Sequence, residues 1–143
     1  DALDAAGGFD ESYFCYMEDV DLGFRLRLLG HQARYAPQAI VHHVGSATTG
    51  GQRSAFALLH GHRNMVWTFV KNMPAPLFAL LLPAHLLANA AAIVLATLRG
   101  HPWPVLKAKW QAIQALPAVL RQRRTLQRKA VASALDKRPW PRR

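Results

Sequence analysis

The sequence predicts an α/β unit over about the first half of the chain, followed by an α-helical, membrane-associated region. Three observations carry that expectation. The apolar, aromatic-rich run Tyr13-Phe14-Cys15-Tyr16-Met17 reads as a buried strand, and it stops abruptly at the acids Glu18, Asp19 and Asp21. An amphipathic helix pattern starts at those acids. Further on, Ala75 to Leu98 carries no formal charge, and everything after it is rich in Lys and Arg.

Taken in order, Gly7-Gly8 is a turn signal ahead of the aromatic strand. From Asp19 to Leu29 the apolar residues Val20, Phe24 and Leu28 recur every fourth position. Asp21 faces Arg25 at i,i+4, and Gly30 stands where a C-terminal cap belongs. Residues 33–36 and 39–44 read as extended segments on either side of Pro37, with His42-His43 closing the second. The Gly/Ser/Thr-rich stretch from Gly45 to Gly51 has the composition of a mobile loop. Helical periodicity resumes from Gln52 to Met73 and carries His60, His62, Arg63 and Asn64 close together; Pro74 and Pro76 end it.

Ala75 to Leu98 holds about the 20 apolar residues needed to span a bilayer, interrupted by Pro83, His85 and Asn89. A transmembrane helix, an in-plane or re-entrant hydrophobic hairpin and a buried core helix are all open to it. Leu106, Trp110, Ile113, Pro117 and Leu120 then mark one helical stripe, with Pro117 opening a second helix. The intervening Lys107, Lys109, Arg121, Arg123, Arg124, Arg128 and Lys129 suit the surface of an anionic leaflet.

The charge distribution says more than its sum. The 143 residues carry a net charge of +10, yet seven of the eight acids precede Leu22 and the last is Asp136. Such a balance suggests nucleic acid, an anionic membrane or anionic substrates as partners. Nucleic acid is not expected, because no recognition fold or regular aromatic interleaving accompanies the charge. Cys15 is the only cysteine, which rules out an intrachain disulfide and fits a reducing compartment. The chain opens at Asp1 without an initiator Met or a targeting signal, and is read as a C-terminal piece of something longer.

Each cluster has a plain reading beside its functional one. Acids at a helix start are stabilised by the helix dipole by about 0.3–1 kcal/mol, which explains a lone acid there. Following a buried strand, however, the same carboxylates would stand at the ligand-binding edge of a sheet, where one can act as general base toward a hydroxyl. His42 and His43 either end a strand or sit at a cleft edge beneath a mobile loop, suited to a metal or phosphate. His62, Arg63 and Asn64 are either a solvated helix face or donors to a phosphate at a membrane surface.

Read together, these residues resemble the C-terminal half of family 2 glycosyltransferases of the bacterial rhamnosyltransferase-like kind. The resemblance runs through Gly7-Gly8-Phe9-Asp10-Glu11, Tyr13 to Met17, Glu18-Asp19-Val20-Asp21-Leu22 with Arg25, His43-Val44-Gly45-Ser46-Ala47-Thr48, His62-Arg63-Asn64 and Lys71-Asn72-Met73-Pro74. It implies a GT-A fold, a nucleotide-sugar donor, a divalent cation (Mg2+ or Mn2+) and inverting transfer to a lipid-linked or glycan acceptor. By that resemblance Asp19 is the catalytic base, with Asp21 and Arg25 shaping the site. Gly8, Phe9, Asp10, Glu11 and Glu18 face the acceptor. His43, or else His42, meets the metal or diphosphate, and His62, Arg63 and Asn64 contact a phosphate or the acceptor.

The expected organisation is a partial catalytic domain over 1–73, a hydrophobic segment over 74–100, basic amphipathic helices over 101–135 and a disordered tail over 136–143. The family's Asp-x-Asp metal motif is absent, so activity and metal binding are expected to need a missing N-terminal half. The expected place is the cytoplasmic face of the bacterial inner membrane. An alternative from another class is a noncatalytic membrane-surface adaptor that uses only the apolar and basic helices.

Overall fold

A computed structural model describes residues 1–42, 50–51 and 54–130. Six α-helices account for most of these: α1 Ala2–Ala6, α2 Glu18–Leu28, α3 Ala55–Asn72, α4 Ala75–Leu98, α5 Pro102–Gln114 and α6 Leu116–Lys129. Among the described residues there is no strand and no sheet. The α/β expectation, and the GT-A architecture with it, is therefore corrected to an all-helical arrangement.

The correction has a local cause. Glu11–Tyr13 forms a 3-10 turn, and the aromatic run that follows is not extended. Phe14, Tyr16 and Met17 all adopt positive φ, at 62°, 65° and 70°. Such backbone is uncommon for residues with a side chain and cannot continue a ladder. Nor is the whole run buried: Tyr13 is enclosed, but Phe14 is 75% exposed. Residues 33–42 likewise form no strand and are exposed, with a turn at Pro37-Gln38. A strand needs a neighbour for its N–H and C=O groups, and none is described beside either segment.

The helices follow local chemistry more closely. Asp1 caps α1 through a capping box with Asp4, and Gly7 closes the helix in the left-handed region. Helix α2 starts at the acids and ends near Gly30, whose φ is 86°. Ser54 caps α3 by accepting the Ala57 N–H, and Pro74 separates α3 from α4. Pro83, expected to interrupt the apolar stretch, lies inside a continuous 24-residue α4.

The core sits where α3 meets the Tyr13 turn, α5 and α6, with Tyr13, Trp67, Val70, Ala112 and Val119 at its centre. Tyr13 and Trp67 meet edge to face at 6.0 Å. Helix α5 packs on α3 through Val105, Ala108 and Ala112, all enclosed. This inward stripe lies beside the one the periodicity suggests: Leu106, Trp110, Ile113 and Leu120 are exposed. None of the apolar window of α4 is buried within this chain.

Candidate active site

The site begins with the unusual backbone between Tyr13 and Met17. Three positive-φ residues so close together cost on the order of 1–3 kcal/mol each and persist only where surroundings over-determine them. Here the determinant is Asn64, fully buried on α3. Its Nδ2 lies 3.0 Å from the Tyr13 carbonyl and 2.8 Å from those of Cys15 and Tyr16, so two hydrogens serve three acceptors. Arg63 adds a bond from Nη2 to the Tyr13 carbonyl at 3.2 Å, while its guanidinium stacks 4.4 Å above the Trp67 ring. Phe56 contributes from the same helix, packing against both Phe14 and Tyr16. A segment that reads as a strand is thus a turn held by the side chains of a helix some fifty residues away.

That turn delivers the acids to two different environments. Glu18 and Asp19 open α2, whereas Asp21 points into the protein and is 0% exposed. Asp21 accepts from Arg25 Nε at 2.7 Å, from Asn72 Nδ2 at 2.7 Å and from the Tyr13 hydroxyl at 3.1 Å. Its fourth donor is Lys71 Nζ, 2.9 Å from Oδ1 and 3.0 Å from Oδ2. Lys71 also reaches Asp10 Oδ2 at 2.6 Å, which ties two acids to two cations, Arg25 and Lys71. The Tyr13 hydroxyl accepts in turn from Thr68 at 3.2 Å. Burial, aided by the Asp21 charge, pushes the Tyr13 phenol well above its usual pKa, so it stays a donor. Burial opposes ionisation of Asp10, but hydrogen bonds from Lys71 and Ser12 outweigh it and hold the carboxyl below its ordinary value. Each charge in this cluster has an opposite partner, the condition under which buried ion groups persist, although Arg25 Nη2 and Asn72 Oδ1 are buried without a hydrogen bond.

Beside this network lies an open cleft of about 450 Å³, lined by Phe9, Asp10, Glu11, Phe14 and Glu18. Glu18 Oε2 is buried there without a hydrogen-bond partner in the protein. A wider groove of about 710 Å³ shares Phe9, Asp10 and Glu11 and continues to Arg121, Gln122, Thr125 and Lys129 on α6. One wall is therefore acidic and aromatic and the other cationic. Such a surface can hold a polar ligand with hydroxyl groups on one side and phosphate on the other.

The sequence-selected residues divide accordingly. Phe9, Asp10, Glu11 and Glu18 come together in the cleft, and Gly8 supplies the turn before them with φ 65°. Asp19 is exposed in the first turn of α2, does not line the cleft, and accepts the Val20 N–H through Oδ1 at 2.8 Å. Asp21 and Arg25 belong to the interior. Asn64 gives its amide donors to the Tyr13–Tyr16 backbone, which takes them out of reach of a phosphate, while Arg63 bonds the Tyr13 carbonyl through Nη2 and the Asn64 Oδ1 through Nε. His62 faces elsewhere, lining a small pocket of about 170 Å³ with Ala92, Ala96 and Val105. His42 is exposed, and His43 lies outside the described residues, as do most of the Gly/Ser/Thr stretch and the C-terminal tail.

Sequence reasoning missed Lys71, Asn72, Tyr13 and Thr68 as parts of the polar network. Its one available signal was a Lys-Asn pair ending an apolar helix in a chain whose acids lie far away in sequence. Among the described residues, no group of three His, Cys, Asp or Glu side chains is placed to hold a metal ion. The described donor set therefore does not fit a divalent cation.

Comparison with known proteins adds a partial relationship. The chain is 44% identical over 69 residues to an N-acetylglucosaminyl-diphospho-decaprenol L-rhamnosyltransferase of Mycobacterium tuberculosis, in strain CDC 1551 / Oshkosh and equally in strain ATCC 25618 / H37Rv. The match covers 48% of this chain and 22% of each relative, so the chain spans about a fifth of the length of the curated relatives it matches. That similarity supports a glycosyltransferase-like relationship. No protein-family profile and no solved structure matches the chain.

Proposed function

We propose that the chain is the acceptor-side portion of an inverting glycosyltransferase of the family 2 kind. It would move a sugar from a nucleotide-diphosphate donor, dTDP-rhamnose or a close analogue, onto a lipid-linked acceptor at the cytoplasmic face of a bacterial inner membrane, in cell-envelope glycan synthesis. The observation that carries this reading is the strained, over-determined turn that sets Glu18 in the wall of an acidic and aromatic cleft and leaves the next residue, Asp19, exposed beside it. Strained backbone of this sort clusters at functional sites, and the similarity to a rhamnosyltransferase supplies the reaction class. Because the relative's name specifies N-acetylglucosaminyl-diphospho-decaprenol, the proposed acceptor is a polyprenyl-diphospho-sugar of that kind.

In this account Asp19 takes the proton from an acceptor hydroxyl as its oxygen forms a bond to the anomeric carbon and the nucleoside diphosphate leaves. Gly8, Phe9, Asp10, Glu11 and Glu18 hold the acceptor sugar. Asp21, Arg25, Lys71 and Asn64 position the turn without touching substrate. No step here is routed through a divalent cation. The adaptor reading leaves the cleft without a purpose.

The test is transfer of labelled rhamnose from dTDP-rhamnose to polyprenyl-diphospho-N-acetylglucosamine by the full-length polypeptide containing this chain. Label entering the lipid extract is the expected result. A protein that binds membranes yet transfers no sugar to this acceptor or to related polyprenyl-diphospho-sugars would overturn the reading.

A further inference from the structure

Among the described residues, α4 is the one helix long and apolar enough to cross a membrane by length and composition. Its two sides differ. Phe78, Leu82, His85, Asn89, Ala92 and Ala96 recur at three- and four-residue steps and turn inward, taking both strongly polar side chains with them. Leu80, Leu86, Leu87, Val94 and Leu98 point outward, on a face without a charge. That inverts the pattern of a helix on a water-facing surface.

Helix α4 also runs back along α3. Phe69 stacks on Phe78 at 5.2 Å and on His85 at 4.0 Å, while Leu58 and His62 share a pocket with Ala92 and Ala96. The late turns of α3 thus meet the early turns of α4, and the early turns meet the late ones. The two helices run antiparallel over Leu58 to Phe69, about 16 Å at 1.5 Å per residue, meeting through these side chains while α5 packs on both. A crossing α4 would carry α3 into hydrocarbon, together with His60, His62, Arg63 and Asn64, and would draw in Lys71 and Asn72 beside the open groove. Ionisable groups at that depth are costly, and a groove lined by charged side chains needs water.

Helix α5 completes the surface. With Val105, Ala108 and Ala112 against α3, it leaves Trp103, Leu106, Trp110 and Ile113 outward, the two tryptophans 74% and 62% exposed. Exposed Arg99 and Lys107 flank this stripe. Tryptophan and cations beside an uncharged apolar face match the order of headgroup and acyl layers in an anionic leaflet.

We propose that α4 and α5 lie together in the plane of one leaflet of an anionic phospholipid membrane. The outer face of α4 sits among acyl chains, Trp103 and Trp110 lie at headgroup depth, and Arg99 and Lys107 meet lipid phosphates. The proposal rests on the membrane contact in the functional reading but not on sugar transfer.

The test places nitroxide labels at Leu80→Cys, Leu87→Cys and Leu98→Cys in the full chain with Cys15→Ser, bound to vesicles of mixed phosphatidylcholine and phosphatidylglycerol. Depth is read from collision with oxygen against a water-soluble nickel chelate. In-plane burial predicts three similar, shallow depths. A Leu87 label about 15 Å deeper than the other two would establish a spanning helix and overturn the proposal. Three water-exposed labels, or no vesicle binding, would overturn the membrane contact itself, whereas the rhamnose assay reports separately on catalysis. If the labelled chains do not fold, the unmodified chain still decides: lipids brominated near the headgroup should quench its tryptophan fluorescence more than lipids brominated at the chain end. The reverse order would overturn the proposal.

Discussion

Replacing Asn64 with alanine isolates the device that holds the Tyr13–Met17 turn. The substitution removes the donors to the Cys15 and Tyr16 carbonyls, while Tyr13 keeps its bond from Arg63. Each acceptor stranded away from water costs about 1–3 kcal/mol, and both residues are only half-buried, so a total loss of about 2–4 kcal/mol is expected. For a protein of this size that corresponds to a fall in Tm of roughly 4–16 °C. Urea denaturation in a mild detergent, followed by circular dichroism, measures it. Asn64→Asp keeps the shape but turns donors into acceptors facing carbonyl oxygens, and should cost at least as much. A loss below about 0.5 kcal/mol for Asn64→Ala, the range of ordinary surface substitutions, would refute the claim that this amide holds the turn.

Three further outcomes follow from the polar interior. Asp21→Asn leaves Arg25 without an acid and Lys71 with Asp10 alone, and should destabilise the chain by about 3–5 kcal/mol in the same denaturation assay. Asp10 has a folded pKa held below its ordinary value, so the stability it contributes is present above that ordinary value and disappears as pH falls through the folded one. The denaturation midpoint should therefore drop below about pH 4, and Asp10→Asn should remove part of that acid sensitivity. Lys109 is pushed down to about 8 by burial, so between there and its ordinary value, roughly 10.4, the unfolded chain holds a proton that the folded chain has released. Stability should rise with pH across that window, and Lys109→Met should flatten the rise.

The parts of the fold legible in the sequence are those written in local chemistry. Ser54 before an apolar period, Pro74 after it and Gly30 past α2 each carry their own reason for a helix boundary. The Asp21–Arg25 pair follows from i,i+4 spacing alone. The Tyr13–Met17 turn was not legible, because five apolar residues in a row specify burial without specifying which partner receives their carbonyls. That partner is Asn64, and no local rule links the two positions. The stripes of α5 misled for a related reason. Trp103, Leu106, Trp110 and Ile113 form a stronger apolar row than Val105, Ala108 and Ala112, yet the small residues allow close approach to α3 and take the core. In the candidate site, residue type pointed to the acidic stretch, while geometry separated Asp21, enclosed by four donors, from Glu18 and Asp19 beside open space.

The proposed mechanism thus divides two carboxylates two positions apart, with Asp21 enclosed in the fold and Asp19 assigned to the chemistry. The measurement that tests it most directly is rhamnosyl transfer by Asp19→Asn in the full-length polypeptide, set beside its denaturation midpoint. The expected result is a loss of about 10²–10⁴-fold in turnover, the usual contribution of a general base, with stability lowered by no more than the roughly 0.3–1 kcal/mol of an acid at a helix start. Near-normal turnover by a folded Asp19→Asn protein would contradict it.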